Sequence, residues 1–128
     1  MKKFLSVILL ALLSITALSA ADNKTEEGKA TYYSKNCRSK TSSGEYLDPE
    51  KFTCAHRTHP FGTLLLVTNK KNDKSVVVRV NDRGPFGKGI IVDLSYGAAK
   101  ELGMISDGIV DVTVEVLTED AEEDSCIY

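Results

Sequence analysis

The chain lacks tryptophan and is poor in several other residue types. Its 128 residues include three cysteines, three prolines and two histidines, and aromatic residues make up 7%. Charged residues make up 27%, which excludes a collagen-like chain and a membrane-embedded body. No dense stripe of lysine and arginine occurs, so nucleic acid is not expected as a partner. These absences leave one domain of ordinary size, with a formal net charge of −2 at pH 7.

The N-terminus has the pattern of a secretory signal peptide. Lys2 and Lys3 precede an apolar run over residues 4–18, and small residues follow at 19–21. This run is too short for a convincing spanning helix, although an uncleaved anchor is the alternative. We therefore expect removal of residues 1–21 and an exported chain. No cysteine lies near the cleavage site, so a lipid or membrane anchor is not expected after cleavage.

Hydrophobicity alternates with a period of two over much of the remaining chain, which predicts β-strands. The clearest run is residues 109–116, in which every even position is valine. One short helix is predicted between a capping Ser95 and a terminating Gly103. Five further strands are predicted, at residues 29–33, 52–55, 63–69, 75–81 and 90–94. The fold class is therefore mainly β, and a closed small barrel would avoid exposed strand edges.

Charge divides the mature chain into three parts. Acidic residues are concentrated near both ends, and a mildly basic body lies between them. We expect a polar leader at residues 22–27, a folded domain at 28–117 and an acidic disordered tail at 118–128.

The three cysteines allow two interpretations. In an exported protein we favour a disulfide between Cys37 and Cys54, because both lie within the predicted domain and Cys126 lies in the tail. The alternative is a zinc site in which the first two cysteines join His56 and His59. Their spacing matches no standard zinc motif, so we expect no metal.

Three polar segments stand beside turn residues, where barrels place binding and catalytic groups. They are residues 41–45 (TSSGE), 53–62 (TCAHRTHPFG) and 80–87 (VNDRGPFG). Taken singly, each has an ordinary structural interpretation. Asp82 could pair with a neighbouring arginine or cap a turn. Glu45 could be a solvated loop acid, and His56 a hydrogen-bonded structural histidine.

Together the segments resemble the rare lipoprotein A (RlpA) family, whose members are septal-ring lytic transglycosylase-like proteins. The resemblance covers nearly all of residues 28–117. It implies a six-stranded double-psi β-barrel with one or two short helices, a barrel shared with expansins and barwin-like proteins. The matching segments are residues 28–33 (GKATYY), 41–45, 53–63, 78–86 (VRVNDRGPF), 91–95 (IVDLS), 98–99 and 102–104 (LGM).

The resemblance implies an enzyme that cleaves peptidoglycan glycan strands. Such enzymes break the β-1,4 bond between N-acetylmuramic acid and N-acetylglucosamine and leave 1,6-anhydro ends, in cell-wall remodelling or daughter-cell separation. We expect a cell-wall-associated monomer, periplasmic or secreted, with no cofactor. Many relatives carry a lipid-attachment cysteine and a C-terminal peptidoglycan-binding domain that recruits them to the division septum. In this sequence we expect only an acidic tail after Leu117, so septal recruitment is not carried over from those relatives.

The residues that the resemblance implicates in catalysis are Asp82, Glu45 and His56. We expect Asp82 to be the acid/base, which requires a raised pKa. Glu45 would raise that pKa or stabilise positive charge on the sugar, and His56 would orient the pair. Candidate sugar-binding residues are Tyr32, Tyr33, Arg57, Arg83 and Phe86.

Two other functions stay open on the sequence alone. One is a non-catalytic, expansin-like module that binds glycan without breaking bonds. The other is a secreted interaction domain, such as an inhibitor or a sensor of wall damage. The Cys37–Cys54 pair is not a general feature of the family, and a disulfide there would be specific to this lineage.

Overall fold

A computed structural model describes residues 25–118, in which six strands and one short helix form a closed barrel. The strands close in the order β1-β5-β2-β4-β3-β6. Two pairs, β1 with β5 and β2 with β4, are parallel, and the other pairs are antiparallel. The predicted mainly β, six-stranded barrel with a short helix is confirmed. The elements are β1 (Thr25–Tyr32), β2 (Thr53–Ala55), β3 (Leu64–Asn69), β4 (Ser75–Asp82), β5 (Ile90–Leu94), α1 (Tyr96–Glu101) and β6 (Val110–Thr118).

The predicted start of the domain needs correction. β1 begins at Thr25, and residues 25–27, which were expected in the polar leader, pair with β6. Their acidic side chains contact the barrel: Glu26 approaches His56 at 2.8 Å, and Glu27 approaches Lys70 at 2.9 Å. The predicted signal peptide, the first part of the leader and residues 119–128 of the predicted tail lie outside the described residues. Between residues 25 and 118, no helix has the length and apolar character needed to cross a membrane.

The period-two pattern of the sequence becomes the barrel core. Alternate residues of β3, β4 and β6 are buried inside the barrel, among them Leu65, Val78 and Val112. The helix begins as predicted, since the Ser95 hydroxyl accepts a hydrogen bond from the amide of Ala98. Its buried alanines pack into the same core.

The structure does not contain the predicted disulfide, since Cys37 and Cys54 are free thiols in it. Cys54 lies on β2 and its side chain is fully buried in the barrel core, where burial raises the pKa of the thiol. Cys37 lies on the loop that joins β1 to β2, with its Sγ atom 3.7 Å from the Ser39 hydroxyl oxygen. Cys126 lies outside the described residues.

A bulge in β4 places one acidic residue on each side of Ala55. The register between β2 and β4 shifts by one residue after Cys54, so that Ala55 pairs with Asp82 and Asn81 is the extra residue. On its other side, Ala55 pairs with Asp93 of β5. Paired residues in a sheet point to the same face. Asp82 and Asp93 therefore flank Ala55 on the outer face of the barrel.

Candidate active site

Asp82 lies at the end of β4, and its carboxylate accepts four hydrogen bonds. The Tyr33 hydroxyl donates at 2.6 Å, and the amide and hydroxyl of Ser42 donate at 2.9 and 2.8 Å. The amide of Arg83 donates at 2.9 Å. Burial pushes the pKa of Asp82 upward, but these hydrogen bonds outweigh burial and hold the pKa below its ordinary value. Asp82 is therefore ionised at neutral pH and lacks the raised pKa that the sequence analysis required of it.

Asp93 has the opposite electrostatic character, and reasoning from the sequence missed it as a site residue. Burial raises the pKa of its carboxyl, and the negative charge of Asp82 adds to the increase. One hydrogen bond, from the Thr31 hydroxyl at 3.1 Å, acts against this shift. The available signal was the IVDLS segment, which ends a strand with an acid between apolar residues.

Asp82 and Asp93 thus form a pair of carboxyl groups whose pKa values are displaced in opposite directions. Of the two groups, Asp93 is the one that binds a proton more readily, and Asp82 the one that more readily stays ionised. Their strands are separated by β2, so the two backbones lie about 10 Å apart. Ala55 between them is 1% exposed, so other side chains cover this part of β2.

Glu45 is held apart from this pair. Its carboxylate accepts hydrogen bonds from the Arg79 guanidinium at 3.1 and 3.2 Å and from the Asn81 amide at 3.0 Å. These interactions lower the pKa of Glu45. Within residues 25–118, no hydrogen bond joins its carboxylate to Asp82. The loop at residues 41–45 therefore contacts two sites. Ser42 binds Asp82 of the carboxylate pair, and Glu45 binds Arg79 further along the same face.

His56 is buried at the end of β2, and its ring contacts neither Asp82 nor Glu45. The Nδ1 atom accepts hydrogen bonds from the amides of Thr58 and His59, both at 3.2 Å. The ring proton is therefore on Nε2, which donates to Glu26 Oε1 at 2.8 Å.

Glu26, His56 and His59 bring potential metal-ligating atoms within 4.8 Å of one another. A metal-bound histidine usually donates its other ring N–H to an acceptor. Here Nδ1 of His56 faces two amide donors instead. These residues therefore fit a hydrogen-bonded cluster better than a metal centre.

The turn that follows β2 connects His56 to Asp82. Arg83 Nη1 donates to the carbonyl oxygens of His56 at 3.1 Å and His59 at 2.8 Å. The same guanidinium lies 4.1 Å above the ring of Phe61. The imidazole of His56 accepts hydrogen bonds from amides of the turn, and the turn carbonyls accept hydrogen bonds from the Arg83 guanidinium. The backbone amide of Arg83 in turn donates to the Asp82 carboxylate. His56 is thus placed to orient Asp82 through the backbone.

The other predicted sugar-binding residues differ in what their side chains contact. Phe86 is 82% exposed and presents a free aromatic face. Arg57 donates to three backbone carbonyls in the loop at residues 85–90, and so fixes the segment that carries Phe86. The Tyr32 hydroxyl donates to the carbonyl of Ile105 at 2.8 Å, which ties it to the barrel.

Comparison with known proteins agrees with this architecture. Residues 25–114 match the model of the protein family described as "Lytic transglycolase". The chain belongs to the lytic transglycolase family. The RlpA-like double-psi β-barrel expected from the sequence is thereby confirmed.

Two relatives within this family show how much of each protein is shared. The chain is 50% identical over 94 residues to the "Probable endolytic peptidoglycan transglycosylase RlpA" of Nostoc sp., which covers 71% of this chain and 25% of that protein. It is 50% identical over 97 residues to the "Endolytic peptidoglycan transglycosylase RlpA" of Vibrio cholerae, covering 75% of this chain and 37% of that protein. The chain thus spans well under half the length of these curated relatives.

Solved structures with the same barrel come from proteins of different kinds. The Streptomyces papain inhibitor superposes with a TM-score of 0.62 at 22% identity, over 77% of this chain and 98% of that chain. The Clavibacter michiganensis expansin superposes with a TM-score of 0.60 at 25% identity, over 76% of this chain and 52% of that chain. Since one barrel carries such different proteins, the activity has to be argued from the site.

Proposed function

We propose that this barrel is a lytic transglycosylase that cleaves the β-1,4 bond between N-acetylmuramic acid and N-acetylglucosamine and leaves a 1,6-anhydro end. The observation that carries this proposal is the opposite displacement of the pKa values of Asp82 and Asp93 on one face of the barrel. The names of the relatives from Nostoc and Vibrio cholerae support the same reaction and substrate.

In this reaction, the acid role moves from Asp82 to Asp93. In its protonated form, Asp93 donates its proton to the glycosidic oxygen as the bond from that oxygen to C1 breaks. The ionised Asp82, held by Tyr33 and Ser42, stabilises the positive charge that develops on the sugar ring. The C6 hydroxyl oxygen then closes on C1, and its proton passes to the Asp93 carboxylate. The cycle restores the starting state of Asp93 and consumes no water.

The exposed ring of Phe86 and the fixed loop around it supply a surface on which a sugar can stack. The substrate lies outside the cytoplasmic membrane, which agrees with the signal peptide expected at residues 1–21. We therefore place the protein in the periplasm or outside the cell, on the wall glycan.

Mass analysis of the products tests this function directly. The protein is incubated with purified glycan strands, with and without stem peptides, and the released ends are identified. We expect fragments lighter by one water molecule than the products of hydrolysis, because the C6 hydroxyl replaces water as the nucleophile. Reducing ends formed by hydrolysis, or no release from either substrate, would contradict the proposal.

A second candidate is a non-catalytic module that binds glycan. The similarity of the barrel to the Clavibacter expansin favours it. It predicts that the wild-type chain binds glycan strands in a pull-down and releases no sugar. Formation of anhydro ends by the wild-type chain excludes it.

The role of His56 gives a separate prediction. If Nδ1 acts as an acceptor for the amides of Thr58 and His59, His56→Asn supplies an amide oxygen near the same place. We expect this variant to keep the rate within about tenfold of wild type, whereas His56→Leu lowers it about a hundredfold by releasing the turn. Rates are measured against pH, with thermal unfolding to verify folding. Equal inactivation of both variants, with loss of one limb of the pH profile, would mean that His56 itself transfers a proton.

A further inference from the structure

A cavity lies next to the carboxylate pair, since Asn81, the neighbour of Asp82 in the sequence, lines it. It has a volume of about 490 Å³, within the range of small-molecule sites, and it lies between the outer face of β2 and β4 and the loop before β2. Glu45 and Arg79 line it, so the site that Glu45 belongs to is this cavity and not the position of the proton transfer.

Two of the lining side chains have a buried polar atom without a partner among the described residues. These atoms are Thr53 Oγ1 and Asn81 Oδ1. Thr53 is 4% exposed and Asn81 is 2% exposed. The orientation of the Asn81 amide is fixed, because its Nδ2 atom donates to Glu45. A buried polar atom without a partner costs free energy, so both atoms are suited to a ligand that supplies the missing hydrogen bonds.

The chemistry of these two atoms restricts the ligand. The carbonyl oxygen of Asn81 can only accept a hydrogen bond, and the Thr53 hydroxyl can accept one. A carboxylate group has no hydrogen to donate at neutral pH and cannot serve Asn81. The ligand must therefore present hydroxyl or amide N–H groups, which a sugar with an acetamido group supplies.

The position of the cavity points to a sugar in the same chain as the one that is cleaved. Thr53 precedes Ala55 by two residues on β2, so the two lie on one face about 7 Å apart. The ring of Tyr46, which is 71% exposed, lines the same cavity and can stack on a sugar face. A glycan strand bound at the carboxylate pair would thus reach this cavity with a neighbouring residue.

Glu45 and Arg79 lie next to the two residues, since Asn81 Nδ2 donates to Glu45 and Thr53 pairs with Arg79 across β2 and β4. Neither Thr53 Oγ1 nor Asn81 Oδ1 contacts solvent in the structure. The side chains of Glu45 and Arg79 are 46% and 38% exposed, and ion pairs of this kind contribute little to stability. A ligand would reach the two atoms after a shift of this pair.

We infer that this cavity is a saccharide subsite that binds an N-acetylhexosamine residue of the glycan strand next to the cleaved bond. Thr53 and Asn81 accept hydrogen bonds from the sugar, and Glu45 and Arg79 form the movable side of the site. The inference rests on the proposed function, since it assigns the occupant of a cavity adjoining the same carboxylate pair.

Binding measured without cleavage tests the subsite. The Asp93→Asn chain is titrated calorimetrically with peptide-free glycan strands and, separately, with free stem peptide. Thr53→Val in this background removes one hydroxyl from a buried site and leaves the shape nearly unchanged. We expect about fivefold weaker binding of the glycan, which is the loss of one hydrogen bond. We also expect an unchanged or higher melting temperature, because an unpartnered buried hydroxyl has been removed.

Two further variants make the result specific. Thr68→Val is the matched control, because Thr68 lies on β3 outside the cavity and bonds Ser75, and glycan affinity should be unchanged. Tyr46→Ala removes an exposed ring and should weaken glycan binding without loss of folding. Equal glycan affinity with and without Thr53→Val, no glycan binding by the parent, or tighter binding of the stem peptide would overturn the inference. If wild type still forms anhydro ends in any of these cases, the proposed function stands and the subsite alone is wrong.

Discussion

Asp93→Asn is expected to slow the formation of anhydro ends by about 10²- to 10⁴-fold, the usual contribution of a general acid. The amide keeps the shape of the side chain and can still accept from the Thr31 hydroxyl, but it has no proton to give to the glycosidic oxygen. The rate is measured by mass analysis of released glycan. Asp111→Asn is the control, because Asp111 is an exposed acid paired with Lys29 far from the site in sequence and on another strand.

The same substitution should make the fold more stable at neutral pH. The pKa of Asp93 is raised in the folded protein, so its favourable contribution is present below the ordinary pKa and is lost as pH rises through the raised value. Ionisation of this half-buried carboxyl group costs free energy, and asparagine removes that cost. Thermal unfolding should show a gain at neutral pH that shrinks at acidic pH. Wild-type activity in Asp93→Asn would transfer the acid role to another group.

Asp82→Asn is the second substitution with a large expected effect, a loss of about 10²-fold or more in rate. The amide oxygen can still accept from Tyr33 and Ser42, but the negative charge that stabilises the developing sugar cation is gone. That charge also raises the pKa of Asp93, so its removal should lower the pKa of Asp93. The alkaline limb of the pH–rate profile of Asp82→Asn should therefore lie at a lower pH than that of the wild-type chain.

Tyr33→Phe is the matched variant for this prediction. It keeps the charge of Asp82 and removes the hydrogen bond that helps to lower its pKa. The acidic limb of the pH profile should then move to higher pH, because Asp82 is more easily protonated. Carboxyl NMR titration of wild type and both variants measures these shifts independently of the rate. An alkaline limb that stays in place in Asp82→Asn would mean that the two carboxyl groups are not coupled.

The strands of the barrel follow from local pattern, whereas the pairing of the two acids does not. Alternating valines fix which face of β6 is buried, and Ser95 marks the start of the helix. By contrast, the bulge at Asn81 exists because β2 and β4 pair out of step, which is a relation between distant segments. In an unbroken strand, Asp82 would share the core face of Val80. No local pattern in the sequence contains that shift.

Family resemblance identified residues of the site but not their roles. It pointed to Asp82, yet which carboxyl group binds a proton more readily depends on burial and on hydrogen-bond donors from two other segments, residues 31–33 and Ser42. It pointed to His56, whose partner Glu26 lies in a stretch expected to be a polar leader. The disulfide between Cys37 and Cys54 came from counting cysteines, and the structure shows both as free thiols, with Cys54 buried in the core.

The two carboxyl groups lie on barrel strands, whereas the long loop between β1 and β2 forms a wall of the cavity. The reacting groups and the groups that select the ligand therefore lie on different parts of the fold. Asp93 is paired with backbone on both sides and Asp82 on one side, and Ser42 of the loop holds the Asp82 carboxylate. Tyr46 and Glu45 of the same loop line the cavity instead. Under the proposed function, substitutions at Tyr46 and Glu45 can therefore change which glycans are accepted while the carboxyl pair stays in place.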